Sequence, residues 1–177
     1  MGVSRMNKEM KQEKTAETYQ GFTVRLALVD TLPVLIFALM SGRIALFLQD
    51  ILFTIGVILM VLGGLCKVLW KLLLACLKRD IHWLNRPLFI VVMPVGGITL
   101  LLAVIREAVL GQLQISSILH AVMGFPSVIF FVLGTLGIIA MTIFFKVHDK
   151  TDPRNNWIEQ FTNTFAQLMF LLGVLFI

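Results

Sequence analysis

The chain has 177 residues, of which 58% are hydrophobic and 14% are charged, with 15 basic residues against 10 acidic ones. Soluble domains carry about 25% charged residues, and a chain this small cannot hide so much apolar surface from water, which excludes a soluble enzyme. Disordered, collagen-like and disulfide-rich proteins are excluded by the same composition. An all-α, polytopic integral membrane helix bundle in a lipid bilayer is the remaining class.

Residues 1–21 form a predicted cytoplasmic polar tail. Glu9, Glu13 and Glu17 recur in it every four residues, a spacing that suits a short helix with one acidic face. A frayed terminus fits these residues at least as well. The first apolar stretch begins only after this tail and no small-residue cleavage site follows it, so we expect a retained membrane helix rather than a signal peptide.

Five apolar segments follow, and residues 22–177 are predicted to form a single transmembrane domain. The first segment is expected to end at the Ser41-Gly42-Arg43 turn signal. The second is expected to break or bend at Gly63-Gly64, because a continuous helix from Ile44 to Leu77 would extend ~51 Å, against a hydrocarbon core of ~30 Å. The predicted spans are residues 22–40, 47–66, 88–105, 125–145 and 157–177.

The basic residues alternate between the connections. Five Lys or Arg residues lie in the tail and at the adjoining membrane edge. The four connections that follow hold one, five, one and three, and the C-terminus holds none. By the positive-inside rule, this pattern predicts five spans with the N-terminus cytoplasmic and the C-terminus outside. It also accounts for the net positive charge through orientation and anionic lipid, so no nucleic-acid partner is expected.

Two connections have an amphipathic pattern. Residues 65–79 place basic side chains on one side of an otherwise apolar helix, which favours a helix lying at the inner lipid interface; a tilted end of the second span fits equally well. The expected interface residues there are Lys67, Trp70, Lys71, Lys78 and Arg79. Residues 107–123 show a similar apolar periodicity interrupted by polar residues, and we expect them to lie in the outer interface or to dip back into the protein.

Asp30 is the first candidate site residue. It lies ~12 Å into the first span, where a carboxylate is costly unless it is protonated, paired or solvated. Pro33 follows three residues later and deprives the Val29 carbonyl of its helical hydrogen bond. Bound cations and polar substrates use such places, but a carboxylate that only caps or joins neighbouring helices would look the same.

The fifth segment supplies a possible partner for Asp30. Asn156, Gln160, Asn163 and Gln167 recur at spacings of four, three and four residues, which makes one polar stripe on a helix flanked by Glu159. A polar stripe in lipid must face protein or water, so these side chains either line a cavity or bind another helix. We include Asp30, Pro33, Glu159, Gln160, Asn163 and Gln167 in the candidate binding site.

Other chemistry-bearing residues are interpreted as structural. Asp50 and the Arg106-Glu107 pair are predicted near the outer edge with access to water. The three histidines fall outside the predicted spans, so no haem is expected, and their spacing carries no zinc signature. Cys66 and Cys76 do not form a CxxC motif and are expected to pack. No hydrolase, nucleotide-binding or metalloprotease motif is present, so no cofactor and no enzymatic activity are expected.

Two functional hypotheses remain. The first is a transport-type protein, such as a channel, carrier or transporter subunit, with a cytoplasm-facing polar cavity for a small solute or ion. The second is a structural or regulatory membrane subunit whose polar stripe docks a partner helix. Either would reside in a membrane, expected to be a bacterial-type cytoplasmic membrane, as a homo-oligomer or within a larger complex because 177 residues make a thin bundle.

Overall fold

The computed structural model describes residues 23–77, 81, 83–84, 88–147 and 152–177. Every regular element among them is a helix, so the prediction of an all-α protein is confirmed for this part of the chain. In chain order the helices are α1 (Val24–Val29), α2 (Thr31–Leu48), α3 (Ile51–Leu77), α4 (Phe89–Val109), α5 (Ile115–Met123), α6 (Ser127–Val147) and α7 (Pro153–Leu175).

Four segments are long and apolar enough to cross a membrane: Val24–Leu48, Ile51–Leu77, Phe89–Val109 and Ser127–Phe144. The first comprises α1 and α2 and is called the first span below. Apolar side chains remain exposed along all four, as lipid-facing helices require. The fifth predicted span corresponds to α7, which is long enough at 23 residues but carries the polar stripe in its N-terminal part. The crossing by α7 and the orientation of the two termini therefore stay predictions.

The first span is longer than predicted. The expected turn at Ser41-Gly42-Arg43 is wrong, because α2 continues through it to Leu48. The Ser41 hydroxyl donates to the Phe37 carbonyl one turn earlier over 2.6 Å, so this polar residue is satisfied inside the helix. The chain reverses instead at Gln49 and Asp50, where Gln49 adopts a left-handed conformation with φ 52°.

The expected break at Gly63-Gly64 is also wrong, because α3 runs unbroken for 27 residues. The two glycines let neighbouring helices approach instead. A Cβ on Gly63 would lie 2.7 Å from Met93 Cγ of α4, and a Cβ on Gly64 would lie 3.0 Å from Val34 Cγ2 of α2. A helix of this length extends ~40 Å, so it exceeds the ~30 Å hydrocarbon core and its end reaches beyond it.

The contacts between helices define a row of neighbours. Helix α4 packs on α3, α3 packs on α1 and α2, the first span packs on α7, and α7 packs on α6. The first span thus lies between α3 and α7. The short helix α5 packs on α6 and has no buried residue. It occupies part of the predicted outer segment 107–123, whose first residues belong to α4 instead.

The five-span topology can be checked by thiol labelling in intact cells and in inverted vesicles. Single cysteines would replace Asp152, Gln112 or Phe176 in a chain lacking Cys66 and Cys76. We expect an impermeant maleimide to label position 152 from the inner side only, and positions 112 and 176 from the outer side only. Labelling of 152 and 176 from the same side would mean that α7 does not cross the membrane.

Candidate functional site: an ion pair buried between α3 and the first span

Asp30 lies at the junction of α1 and α2. Its backbone N–H donates to the Leu26 carbonyl over 3.0 Å, so the helical chain continues to this point. The Thr31 hydroxyl then donates to the Ala27 carbonyl over 3.3 Å. Pro33 is buried and has no N–H, so the Val29 carbonyl lacks its usual helical donor. The first span is therefore interrupted beside its only acidic residue.

Lys71 of α3 is the partner of Asp30. The distance from Lys71 Nζ to Asp30 Oδ2 is 2.7 Å, and the two side chains are 5% and 9% exposed. Separately, each charge would be very costly in the interior of a membrane protein, because little water reaches it there. The pair therefore holds the interrupted first span against α3.

Buried apolar residues lie close in sequence to this ion pair on both helices. Leu26 and Ala27 on α1 are completely or almost completely buried, and Val68, Trp70 and Leu74 are buried on α3. This packing keeps the local dielectric low, which strengthens the attraction between the two charges and raises the cost of separating them.

Of the two alternatives for residues 65–79, the structure favours the end of the second span over a helix at the lipid interface. The part described, up to Leu77, belongs to the spanning helix α3 rather than to a separate surface helix. Lys71 and Trp70 are both 4% exposed, so the prediction that they contact the lipid interface is wrong. Lys67 is half-buried, with its ammonium 5.0 Å from the centre of the Phe89 ring. The predictions for Lys78 and Arg79 lie outside the described residues.

The polar stripe of α7 lies partly inside the protein. Asn156 and Gln160 are buried, whereas Asn163, Gln167 and the flanking Glu159 are half-buried. Helix α7 contacts α6 through Ala166, Phe170 and Gly173, which pack on α6 glycines and Phe131. The stripe occupies a different side of α7, and α7 also packs on α1 and α2. We infer that Asn156 and Gln160 face the first span.

The opposite side of α7 points outward. Phe161, Phe165 and Leu168 are exposed, which agrees with a lipid-facing side of this helix. Met169 belongs to the packed side, because it is 9% exposed.

Two oxygens of the stripe have no donor. Gln160 Oε1 and Gln167 Oε1 are buried, and neither accepts a hydrogen bond within the described part of the chain. Gln160 lies seven residues from the start of α7 and Asp30 lies six residues from the start of α1, so each is ~10 Å from its helix end. We infer that the ion pair and Gln160 lie at similar depth on helices that pack together.

A second charged cluster lies where the C-terminal end of α2 meets the N-terminal end of α3. Asp50 caps α3, since the Phe53 N–H donates to Asp50 Oδ1 over 2.7 Å, and its other oxygen binds Arg106. Arg106 also contacts Glu107 over 3.0 Å. The Phe53 hydrogen bond, with the charge of Arg106, holds the pKa of Asp50 below its ordinary value despite burial. Asp50 and Glu107 are each 4% exposed, so the expected water access is wrong for both carboxylates.

Metal binding finds no support in the described ranges. No group of three or more His, Cys, Asp or Glu side chains there is arranged to hold a metal ion. Cys66 and Cys76 are free thiols.

The comparisons with known proteins give no family. No protein-family model matches the sequence, and no curated protein and no solved structure shows significant similarity to the chain.

Lys71 was missed as the partner of Asp30 because its basic segment was interpreted as a surface helix. The sequence prediction ended the second span at residue 66, so it gave no register between these two residues. In the structure Lys71 lies six residues before the end of α3, and Asp30 lies six residues after the start of α1. In two antiparallel helices, these positions lie at the same depth.

The ion pair can be tested by a double-mutant cycle. We expect Asp30→Asn and Lys71→Met each to destabilise the protein by about 3–5 kcal/mol, because each leaves an uncompensated buried charge. The double variant should recover most of this loss, since no charge is left unpaired. The free energy of unfolding in detergent would be measured for the wild type and the three variants. As a control, Asp30→Asn would be combined with Lys146→Met, at an exposed position of α6, and the two losses of unfolding free energy should add. If the losses also add when Asp30→Asn is combined with Lys71→Met, the pairing is contradicted.

Asp50 gives a pH-dependent prediction. Asp50→Asn retains a capping oxygen but loses the charge opposite Arg106, and Asp50→Ala loses both, so melting temperatures at neutral pH should fall in the order wild type, Asn, Ala. Because folding lowers the pKa of Asp50, its charge stabilises the fold above the ordinary value, and this contribution disappears as pH falls through the lowered pKa. Melting curves down to about pH 2 should therefore show wild type and Asp50→Asn converging. A pH-independent difference would show that the carboxylate charge is not involved.

Proposed function

We propose that the chain is a small transport-type membrane protein, whose solute or ion binds between the first span and α7. The observation that carries this proposal is the buried Asp30–Lys71 pair at an interruption of a spanning segment. Ionisable residues inside membrane proteins mark substrate and ion pathways by default, because they are expensive to retain for packing alone.

The helix interruption supplies a possible moving part. While Asp30 and Lys71 are paired, α1 is fixed to α3. Separation of the two side chains removes this attraction and leaves α1 held mainly by its apolar contacts. The junction at Asp30, with Pro33 in the next turn, is then the place where α1 can change its angle to α2.

The burial of the stripe favours this proposal over docking of a partner helix. A stripe that binds another protein should be open on the surface of the isolated chain. Asn156 and Gln160 are instead buried within the isolated chain, although Asn163 and Gln167 are only half-buried. An internal polar layer is the arrangement that a transport protein uses to bind a cargo away from lipid.

Oligomerisation and location are part of the same proposal. The exposed apolar sides of α4 and α6 would contact lipid or further copies of the chain in a bacterial-type cytoplasmic membrane. A homo-oligomer would thicken a bundle in which α4, α3, the first span, α7 and α6 form a row of neighbours.

Reconstitution into proteoliposomes tests the transport role. Proton, sodium and potassium fluxes would be followed with ion-sensitive dyes, and glycerol and urea fluxes by stopped-flow light scattering. We expect at least one probe to cross faster than in empty vesicles, and Asp30→Asn to reduce that flux by about tenfold or more. The double variant Asp30→Asn with Lys71→Met should recover stability without recovering flux.

Asp152→Asn provides the matched control. Asp152 is exposed and caps α7 by accepting from the Arg154 N–H over 2.8 Å, a role that asparagine can retain. The flux through the Asp152→Asn variant should equal that through the wild type. No flux above empty vesicles for any probe, or equal flux in wild type and Asp30→Asn, would contradict the proposal.

A further inference from the structure

The two amide oxygens without donors point to a ligand. Gln160 is 5% exposed, and its Oε1 has no hydrogen-bond partner within the described residues; the same holds for the buried Oε1 of Gln167. A buried acceptor left unpaired is costly, and native proteins satisfy nearly all of them by protein groups or bound molecules. Both oxygens lie on one side of α7, so one bound species or a short file of molecules can satisfy them.

The chemistry of these oxygens selects the ligand class. An amide oxygen accepts from an O–H or N–H group or binds a cation. The stripe itself carries amides and no carboxylate, and the charge of buried Asp30 is already neutralised by Lys71. A cation would therefore meet no unbalanced negative charge among these buried groups, and Glu159 beside the stripe is only half-buried, where water screens it. Uncharged donors fit the site better.

The spacing indicates more than one contact point. Gln160 and Gln167 are seven residues apart, which is ~10 Å along the helix, and Asn163 lies between them on the same side. A small solute moving along this side of α7 would exchange one amide for the next without losing all of its hydrogen bonds. Such a path lowers the cost of taking hydroxyl or amide groups out of water.

We propose that Gln160 and Gln167 bind small uncharged solutes that carry several O–H or N–H groups, the class of polyols and simple amides. This proposal rests on the transport function proposed above and names the class of its solute.

The test uses glycerol and urea as probes and the variants Gln160→Met and Gln167→Met. Methionine has nearly the length of glutamine and lacks the strong acceptor. In proteoliposomes, each variant should reduce glycerol and urea flux by about five- to tenfold, the factor expected for one lost hydrogen bond. Gln112→Met, at an exposed position beyond the end of α4, is the control and should leave both fluxes unchanged.

Melting temperature provides a second readout. Because no group within the described residues donates to Gln160 Oε1, Gln160→Met should keep or raise the melting temperature of the full chain. A structural hydrogen bond at Gln160 would lower it, and that result would overturn the proposal, as would glycerol and urea fluxes unaffected by both methionine variants.

The ion probes separate the two proposals. Flux of protons, sodium or potassium without flux of glycerol or urea would overturn the solute class while leaving the transport function in place. Absence of flux for all five probes would overturn both. Glycerol and urea flux that depends on Gln160 and Gln167 supports both.

Discussion

The attraction between Asp30 and Lys71 is the contact on which the arrangement of α1 and α3 depends. Charges buried in a membrane protein are tolerated when they neutralise each other. Once the pair is fixed, α1 must lie against α3 at one depth, and the interruption at Asp30 has a defined place in the bundle. The first span can then pack on α7 along its other side.

The length of α3 makes this pairing possible. If the helix had ended at Gly63-Gly64, Lys71 would have lain on a surface segment and Asp30 would have needed another partner. Instead, Gly64 admits Val34 of α2 and Gly63 admits Met93 of α4, so the same two residues bring helices close on both sides of α3. Because of this close contact with α2, α3 packs along the first span and Lys71 faces α1. Close packing through small residues is the usual means by which membrane helices associate.

Composition and periodicity were sufficient to predict the helical class, four of the apolar segments and the residues of the polar stripe. These features depend on local patterns: apolar length for a span, and spacings of three and four for one side of a helix. Asp30 could be identified because a carboxylate in an apolar segment is unusual by itself. The predicted ends of the helices were less accurate. A glycine can mark a turn, but it can also lie within a helix or allow a neighbouring helix to approach, and the sequence does not distinguish these cases at Gly42 or at Gly63-Gly64.

The partners of charged residues could not be predicted from local patterns. Lys71 and Trp70 lie in a segment with the composition of an interface helix. Their burial follows only from the packing of α3 against the other helices. Asp50 and Arg106 are similarly distant in sequence and meet because two helix ends are adjacent. Both pairs depend on tertiary packing, which decides whether a lysine or an arginine extends to water or binds a carboxylate.

The most direct test of the central contact is chemical crosslinking in native membranes. Asp30→Cys would be combined with Lys71→Cys in a chain lacking Cys66 and Cys76, and treated with a short bifunctional thiol reagent. We expect efficient crosslinking for this pair and little when Lys71→Cys is replaced by Leu72→Cys, since neighbouring helical residues point in directions about 100° apart. Equal yields at 71 and 72, or no crosslink at 71, would show that Asp30 and Lys71 do not meet in the membrane.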